Sequence, residues 1–450
     1  MKNYPVLLVL LSFFMLPQMS LAGEDSNSKV ISLSEVIGIA MENHPNLREA
    51  ADRERIAKAT VDDARAAREV QVRADSKRIE WSKISEFPAT RGFPQISFGE
   101  KDLWNSSLTA QKVLSSGGKI ESAIRQAKSQ TELARLGSRR TMHLIAFEAE
   151  RAFLQLVSAQ RELEVASQAL DTAGEYLRVA NTRFEMKSAA KFDVLRAEVQ
   201  LQESRQDFIR AQSGIQIAHA GLIQALALPG GAFTATETGI IGAKNDISIE
   251  DALKIAYSQR PELQSSEWNI KSAEAGIALA KSENKPTLSF SADYQRYEPE
   301  STTQLNRWST VIAAGIPLFD GGSSRAKVRA AKARLSQQTA NRDGTKNQVE
   351  KEVRQAHARM NSAAAQVAVA EKRVQFAEEM LRITHVRYSS GMSTATEVAD
   401  AQTSLTRARQ GYTRAISDLR LADAEFRLAT GVFEPPSGGR AQVGGPPREK

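Results

Sequence analysis

The sequence has no cysteine, which excludes thiolate metal sites, iron–sulfur clusters, cysteine nucleophiles and disulfide scaffolds together. Aromatic residues make up only 6% of the 450 residues, and only 14 are proline. Ala, Gln, Arg, Glu and Leu crowd the middle instead, the usage of long helices. Long apolar runs are missing as well. Only Val6–Leu16, eleven residues broken by Ser12, qualifies, and it sits at the N-terminus. A membrane helix needs about 20 apolar residues. With a mean hydropathy of −0.37, a polytopic helical membrane protein is excluded. Neither charge dominates: 60 Lys and Arg interleave with 53 Asp and Glu, which reads as solvated helix faces and not as a nucleic-acid groove. The five histidines (His44, His143, His219, His357 and His385) are scattered and form no HExxH pair. Ser115-Ser-Gly-Gly-Lys119 lacks the leading glycine and the final Ser/Thr of a phosphate loop, and Gly391-Met-Ser393-Thr-Ala395 misses the last glycine of a nucleophile elbow. Nothing here supports catalysis, a cofactor or a resident metal.

What is present begins with an address. Lys2, the apolar stretch Val6–Leu16 and Ser20-Leu21-Ala22 read in order as the three parts of a signal peptide, 1–22. Eleven residues are too few for a membrane anchor. Gly23 follows the expected cleavage point, so a lipidated cysteine is not expected there.

The exported part is a tandem repeat. Ile31-Ser-Leu-Ser-Glu-Val-Ile-Gly-Ile-Ala40 recurs as Ile247-Ser-Ile-Glu-Asp-Ala-Leu-Lys-Ile-Ala256, and His44-Pro45 recurs as Arg260-Pro261, at an offset of 216. From Trp104 the offset is 204: Trp104 with Trp308, Gly117-Gly118 with Gly321-Gly322, Arg183-Phe184 with Arg387-Tyr388. The first copy therefore carries 12 extra residues, expected in an outer loop around Ile79–Asp102. The expected layout is a first repeat over 23–231, a linker over 232–246, a second repeat over 247–434 and a disordered Pro/Gly tail over 435–450.

Each repeat holds a long helical hairpin. Steps of three and four from Met142 to Phe184 land on thirteen apolar residues, alternating large ones with alanine, and the same positions in copy two run from Lys346 to Tyr388. The return helices repeat the pattern over Val194–Ala225 and Val398–Ala429. A seven-residue period implies a left-handed supercoil, and alanine at alternate positions lets the backbones approach closely. Turns are expected near 185–192 and 389–396. Gly391 suits a positive φ there, and Lys187 holds the equivalent, poorer place.

Ahead of each long helix lies alternating sequence. Leu288, Phe290, Ala292 and Tyr294 alternate with polar residues, as do Trp308, Thr310, Ile312 and Ala314; Val70, Val72 and Ala74, then Trp104, Leu108 and Ala110, form the weaker first pair. About ten residues is the length of a transmembrane strand, although a soluble sheet would alternate too. Trp104 and Trp308 read as interfacial anchors or as ordinary strand residues. An open sheet edge cannot face lipid, and four strands do not close a barrel. In a membrane, eight or twelve strands from two or three protomers would have to share one.

This ordered, doubled set resembles the TolC-like outer membrane efflux family. The resemblance runs from Ile31 to about Glu434, through His44-Pro45, Arg260-Pro261, Pro317-Leu318-Phe319-Asp320-Gly321-Gly322, Arg183-Phe184 with Asp193-Val194-Leu195, and Arg387-Tyr388-Ser-Ser-Gly391 with Glu397-Val398-Ala-Asp400. It implies a mainly α chain with a small β part. Tandem helical hairpins would build an α-barrel tunnel, and four transmembrane strands per chain would complete a twelve-strand β-barrel shared by a homotrimer. It also implies a place in the outer membrane of a Gram-negative bacterium, in contact with its lipid. The role would be the passive exit duct of a tripartite efflux or type I secretion system, docked to a periplasmic adaptor and an inner-membrane pump of RND or ABC type.

The resemblance carries some site residues. Asp193 and Tyr388 match positions that hydrogen-bond between neighbouring hairpins to close the tunnel, and Glu397 and Asp400 match acidic positions lining the constriction. Phe192 and Ser393 depart from the familiar residues, which implies a looser closure. Independently, an i,i+3 spacing puts Glu397 and Asp400 on one helix face, where three-fold symmetry would make a ring of six carboxylates. Read without the family they are solvated helix carboxylates, and Tyr388 is a seam residue. The other reading of the whole chain is a periplasmic coiled-coil scaffold or adaptor without a channel.

Overall fold

The computed structural model of the chain describes residues 29–83, 85–87, 91–92, 96–98, 102–236, 247–299 and 305–433. The expected signal peptide, the expected linker beyond Thr236 and the expected Pro/Gly tail lie outside the described residues. In chain order the elements are β1 (Lys29–Ile31), α1 (Leu33–Asn43), α2 (Pro45–Ala66), β2 (Gln71–Glu80), β3 (Ser85–Phe87), β4 (Ile96–Phe98), β5 (Asp102–Ser115), α3 (Lys119–Glu185), α4 (Lys191–Leu226), β6 (Phe233–Ala235), α5 (Ile249–Gln259), α6 (Pro261–Ser282), β7 (Thr287–Pro299), β8 (Leu305–Gly315), α7 (Ser323–Ser389) and α8 (Ala395–Thr430). The helices α1 to α4 have 11, 22, 67 and 36 residues, and α5 to α8 repeat those lengths without change.

Local chemistry explains the helix starts. At α1 the Ser32 hydroxyl accepts the Glu35 N–H while the Glu35 carboxylate accepts the Ser32 N–H, a reciprocal cap. At α5 Ser248 accepts the Asp251 N–H at 3.1 Å. Pro45 and Pro261 open α2 and α6, where a missing N–H costs nothing. Asp320 accepts from the N–H groups of Gly322 (2.9 Å) and Ser324 (2.7 Å), tying β8 to the start of α7.

The long helices α3 and α7 each extend about 100 Å. Along α3, the alternate seam positions Ala152, Ala159, Ala166, Ala173 and Ala180 are buried where α4 lies against it, as the period requires. Ala356, Ala363, Ala370 and Ala377 do the same on α7 against α8. One core gathers Ile31, Val36, Leu156, Leu222 and Leu226, all fully enclosed, around α1. Val349, Val353, Met360 and Phe426 form its counterpart around α5. Ile37, Ala146, Ala424 and Phe433 join the two repeats, with Phe433 edge-on to Phe147 at 6.4 Å.

Four features depart from the expected pattern. The residues after Pro45 and Pro261 form the helices α2 and α6, which the alternation sought ahead of the strands does not reveal. α2 buries only Ala50 and Val61, so it carries no apolar stripe to read. Phe233–Ala235, at the start of the expected linker, pairs in parallel with Lys29–Ile31. The lengthened connection between Ile79 and Asp102 contains the two short strands β3 and β4, with Ile79 and Asp102 themselves inside β2 and β5. Finally, Phe184 closes the first seam in sequence but lies exposed beside the Lys191 ammonium, 5.7 Å from its ring, whereas its counterpart Tyr388 is buried.

Candidate functional site

Four of the strands form an antiparallel sheet in the order β2-β5-β7-β8. Register fixes its two faces. Val72, Leu108, Phe290, Tyr294, Trp308 and Ile312 share one face, because Val72 opposes Ala110, Leu108 opposes Tyr294, Tyr294 opposes Trp308 and Phe290 opposes Ile312. Arg73, Asp75, Thr109, Gln111, Ser291, Asp293 and Ser309 share the other, where Thr109 donates to Asp293 at 2.7 Å. The apolar face is open to its surroundings: Trp308 is 73% exposed and Ile312 69%. Trp104 and Trp308 stand on that face near the end of the sheet away from the helices. A strand sheet with one apolar and one polar face, both uncovered, suits lipid on one side and water on the other. No helix among the described residues is long and apolar enough to cross a membrane.

The helices repeat the order of the strands they continue. Nearest the sheet the row is α2-α3-α6-α7, and farther away it becomes α4-α3-α8-α7, since α3 and α7 run through both levels. Sheet and helix rows therefore leave free edges on the same two sides. On the farther level those edges carry apolar stripes: Phe192, Leu195, Val199 and Ile209 on α4, and Val369, Phe376, Met380, Ile383 and Val386 on α7.

The far tip brings the expected gate positions together around a residue that sequence did not single out. Tyr176 donates to the Ala395 carbonyl at 2.8 Å and lies 6.2 Å from the Tyr388 ring. Burial first, then Tyr388 and Asp193, push the Tyr176 hydroxyl up to about 12, so it remains a donor at every physiological pH. Tyr388 is 5% exposed, with a hydroxyl that finds no partner among the described residues. The Arg183 guanidinium stacks over its ring at 4.4 Å and donates to its carbonyl at 3.2 Å. Asp193 accepts the Ala190 N–H at 3.2 Å, capping α4. Glu397 and Asp400 are both exposed on α8. Glu397 accepts from the Ser393 hydroxyl, and Asp400 lies 3.9 Å from Arg196 of α4. Arg196 and Tyr176 carry no sequence signal of this role, because their partners are about two hundred residues away.

Both tip turns use the left-handed backbone, with Lys187 at φ 57° and Gly391 at φ 75°. A side chain at such a φ costs about 1 kcal/mol or more. Gly391→Ala should therefore lower stability by about 1 kcal/mol, whereas Lys187→Gly should not, and thermal melts of the two variants check this.

A second junction between the repeats lies midway along α3. Glu150, 4% exposed, accepts from Arg427 of α8 at 2.6 Å, and Arg427 also donates to Asp423 at 3.0 Å and covers the Phe433 ring. Burial pushes the Glu150 carboxyl above the usual carboxylate range, and the Arg427 charge pulls it only part of the way back. Arg260, nearly enclosed, holds the end of α8 through the Ala429 carbonyl (3.2 Å) and pairs with Glu352 (2.6 Å). No group of metal-ligating side chains occurs among the described residues.

The family model described as outer membrane efflux protein matches residues 36–228 and 252–432, one stretch in each repeat. The chain belongs to the outer membrane efflux protein family. Protein CyaE of Bordetella pertussis is 23% identical over 93% of this chain and 87% of its own. Outer membrane protein TolC of Vibrio cholerae is 22% identical over 89% of this chain and 91% of its own. A crystal structure of a membrane protein from Pseudomonas aeruginosa superposes with a TM-score of 0.76 at 20% identity, covering 89% of this chain and 93% of that one. The efflux protein accordingly shares the fold of that structure, mainly helical with a small strand part, and its place is the outer membrane, with a long periplasmic part.

Proposed function

We propose that three copies of this outer membrane efflux protein close side by side into one passive duct, a twelve-strand barrel in the membrane continued by a periplasmic tunnel of helices. The observation that carries this reading is the shared order of strands and helices. β2 and α2 form one free edge and β8 and α7 the other, so a single rotation pairs both levels at once. Closure would also remove the strand edges that lipid cannot solvate. Transport energy would come from an inner-membrane pump of RND or ABC type, reached through a periplasmic adaptor at the helical tip. A scaffold without a channel would give no role to a sheet with one apolar and one polar face.

The tip is the proposed constriction. Asp193 and Tyr388 would restrain it, with Tyr176 and Arg183 binding the two hairpins of one chain into a unit. Glu397 and Asp400, repeated by three-fold symmetry, would present six carboxylates and favour cations. Arg196 would partly offset Asp400, so the larger share falls to Glu397. In planar bilayers under a salt gradient, Glu397→Ala with Asp400→Ala should move the reversal potential toward that of a non-selective pore. An unchanged reversal potential in the double variant would sink the ring.

A further inference from the structure

Where β5 passes into α3, the chain forms a half-open cavity of about 480 Å³ at the level where strands meet helices, with Lys281 and Lys285 exposed at it. Arg68, Arg125, Lys281 and Lys285 line it, against a single carboxylate, Glu121. Glu121 is already engaged by Arg68 at 2.8 Å and by the Ser116 hydroxyl. Arg125 donates only to Ser122, and the ammonium groups of Lys281 and Lys285 have no partner among the described residues. Three cations thus face a space whose one carboxylate, Glu121, is already paired with Arg68. At the same level the chain exposes apolar side chains. Leu114, at the β-bulge, is 51% exposed although β7 and α6 lie beside it, and Leu318 and Phe319, after β8, are each 91% exposed. The second repeat continues the sequence pattern: Arg329 and Lys332 stand where Arg125 and Lys128 stand in the first.

We infer that this cavity seats the headgroup of an anionic phospholipid from the periplasmic leaflet of the outer membrane. A phosphate would lie between Arg125, Lys281 and Lys285, and its acyl chains would run along the apolar sheet face past Leu114. A free inorganic anion would use the cations but not the apolar residues at their level, and a membrane-length strand ending there supplies the bilayer edge. The inference rests on the outer-membrane placement, not on the gate, and its test reads bound lipid instead of transport.

The full-length protein in mild detergent is equilibrated with equimolar phosphatidylglycerol and phosphatidylcholine, repurified, and its retained lipid quantified by mass spectrometry. Phosphatidylglycerol should be retained in excess. Arg125→Gln, Lys281→Gln and Lys285→Gln together should reduce that excess by on the order of a hundredfold, about fivefold per cation. The same charge removed far from the cavity, by Lys351→Gln, Lys372→Gln and Arg407→Gln, should leave the excess unchanged. If the triple variant does not assemble, raising the salt concentration on the parent protein should erase the excess in the same way. Equal retention of the two lipids by the parent, or displacement of phosphatidylglycerol by inorganic phosphate alone, would overturn the inference.

Discussion

Arg427→Met is expected to lower the stability of the protein by about 3 kcal/mol at neutral pH, because it strands the Glu150 carboxylate inside the junction of the two repeats. Glu150 keeps one oxygen on Arg427 and has the other buried without a partner among the described residues, so nothing else there can take over. The pH dependence follows from the direction of the Glu150 shift. Its folded carboxyl lies above the ordinary value, so between the two the folded state binds more protons than the unfolded state. Stability from this group is present at low pH and is lost as pH rises through the folded value. Removing Arg427 takes away the pull that held the carboxyl down, so the deficit of the variant should widen with rising pH. Thermal midpoints at one scan rate, compared at about pH 5 and about pH 8, check this. Adding Glu150→Gln to Arg427→Met should recover most of the loss. A single variant that melts like its parent at both pH values would show that the pair is not holding the repeats together.

A second large effect is expected at the free helix edges. Ile383→Asp on α7 should break the assembly into single chains. Ile383 lies within the stripe Phe376, Met380, Ile383 and Val386, and Leu195 and Val199 lie at a similar height above the tip on the opposite edge of the same chain. If α7 of one copy packs on α4 of the next, the substitution replaces a buried side chain contributing about 1.5 to 3 kcal/mol with a desolvated carboxylate. The loss occurs three times in a closed ring. At roughly 3 kcal/mol for each seam, the association constant of each contact falls a hundredfold or more. Sedimentation in detergent should then show single chains at concentrations where the parent is assembled. Retention of the assembled form would mean that these two edges do not meet.

The tandem hairpins were legible in the sequence because a seven-residue period sustained over forty residues leaves one stripe to bury, and the same stripe recurs 204 residues later. Gly391 and Lys187 were legible as turn positions for a related reason: where the stripe stops, the chain must reverse. The helices α2 and α6 were not, since α2 is charged and buries only Ala50 and Val61, and half of what α6 buries is serine, so neither displays an apolar period. The tip was legible only in part. Asp193, Tyr388, Glu397 and Asp400 could be named from a resemblance. Yet the contacts of Tyr388 come from Tyr176 and Arg183, and the contact of Asp400 comes from Arg196, all on the other hairpin. Such contacts depend on how two hairpins lie side by side, and no local pattern encodes that. Phe184 and Tyr388 make the same point, since equivalent seam positions are exposed in one repeat and buried in the other.

If one chain supplies a third of a closed wall, the particle extracted from the membrane has the mass of three chains. Inner and outer membranes are separated, the protein is extracted in detergent, and its mass is measured by light scattering with the detergent contribution subtracted. An outer-membrane particle containing three chains is the predicted result. A protein released in soluble form on lysis, or a single chain in detergent, would contradict the shared barrel and the duct built on it.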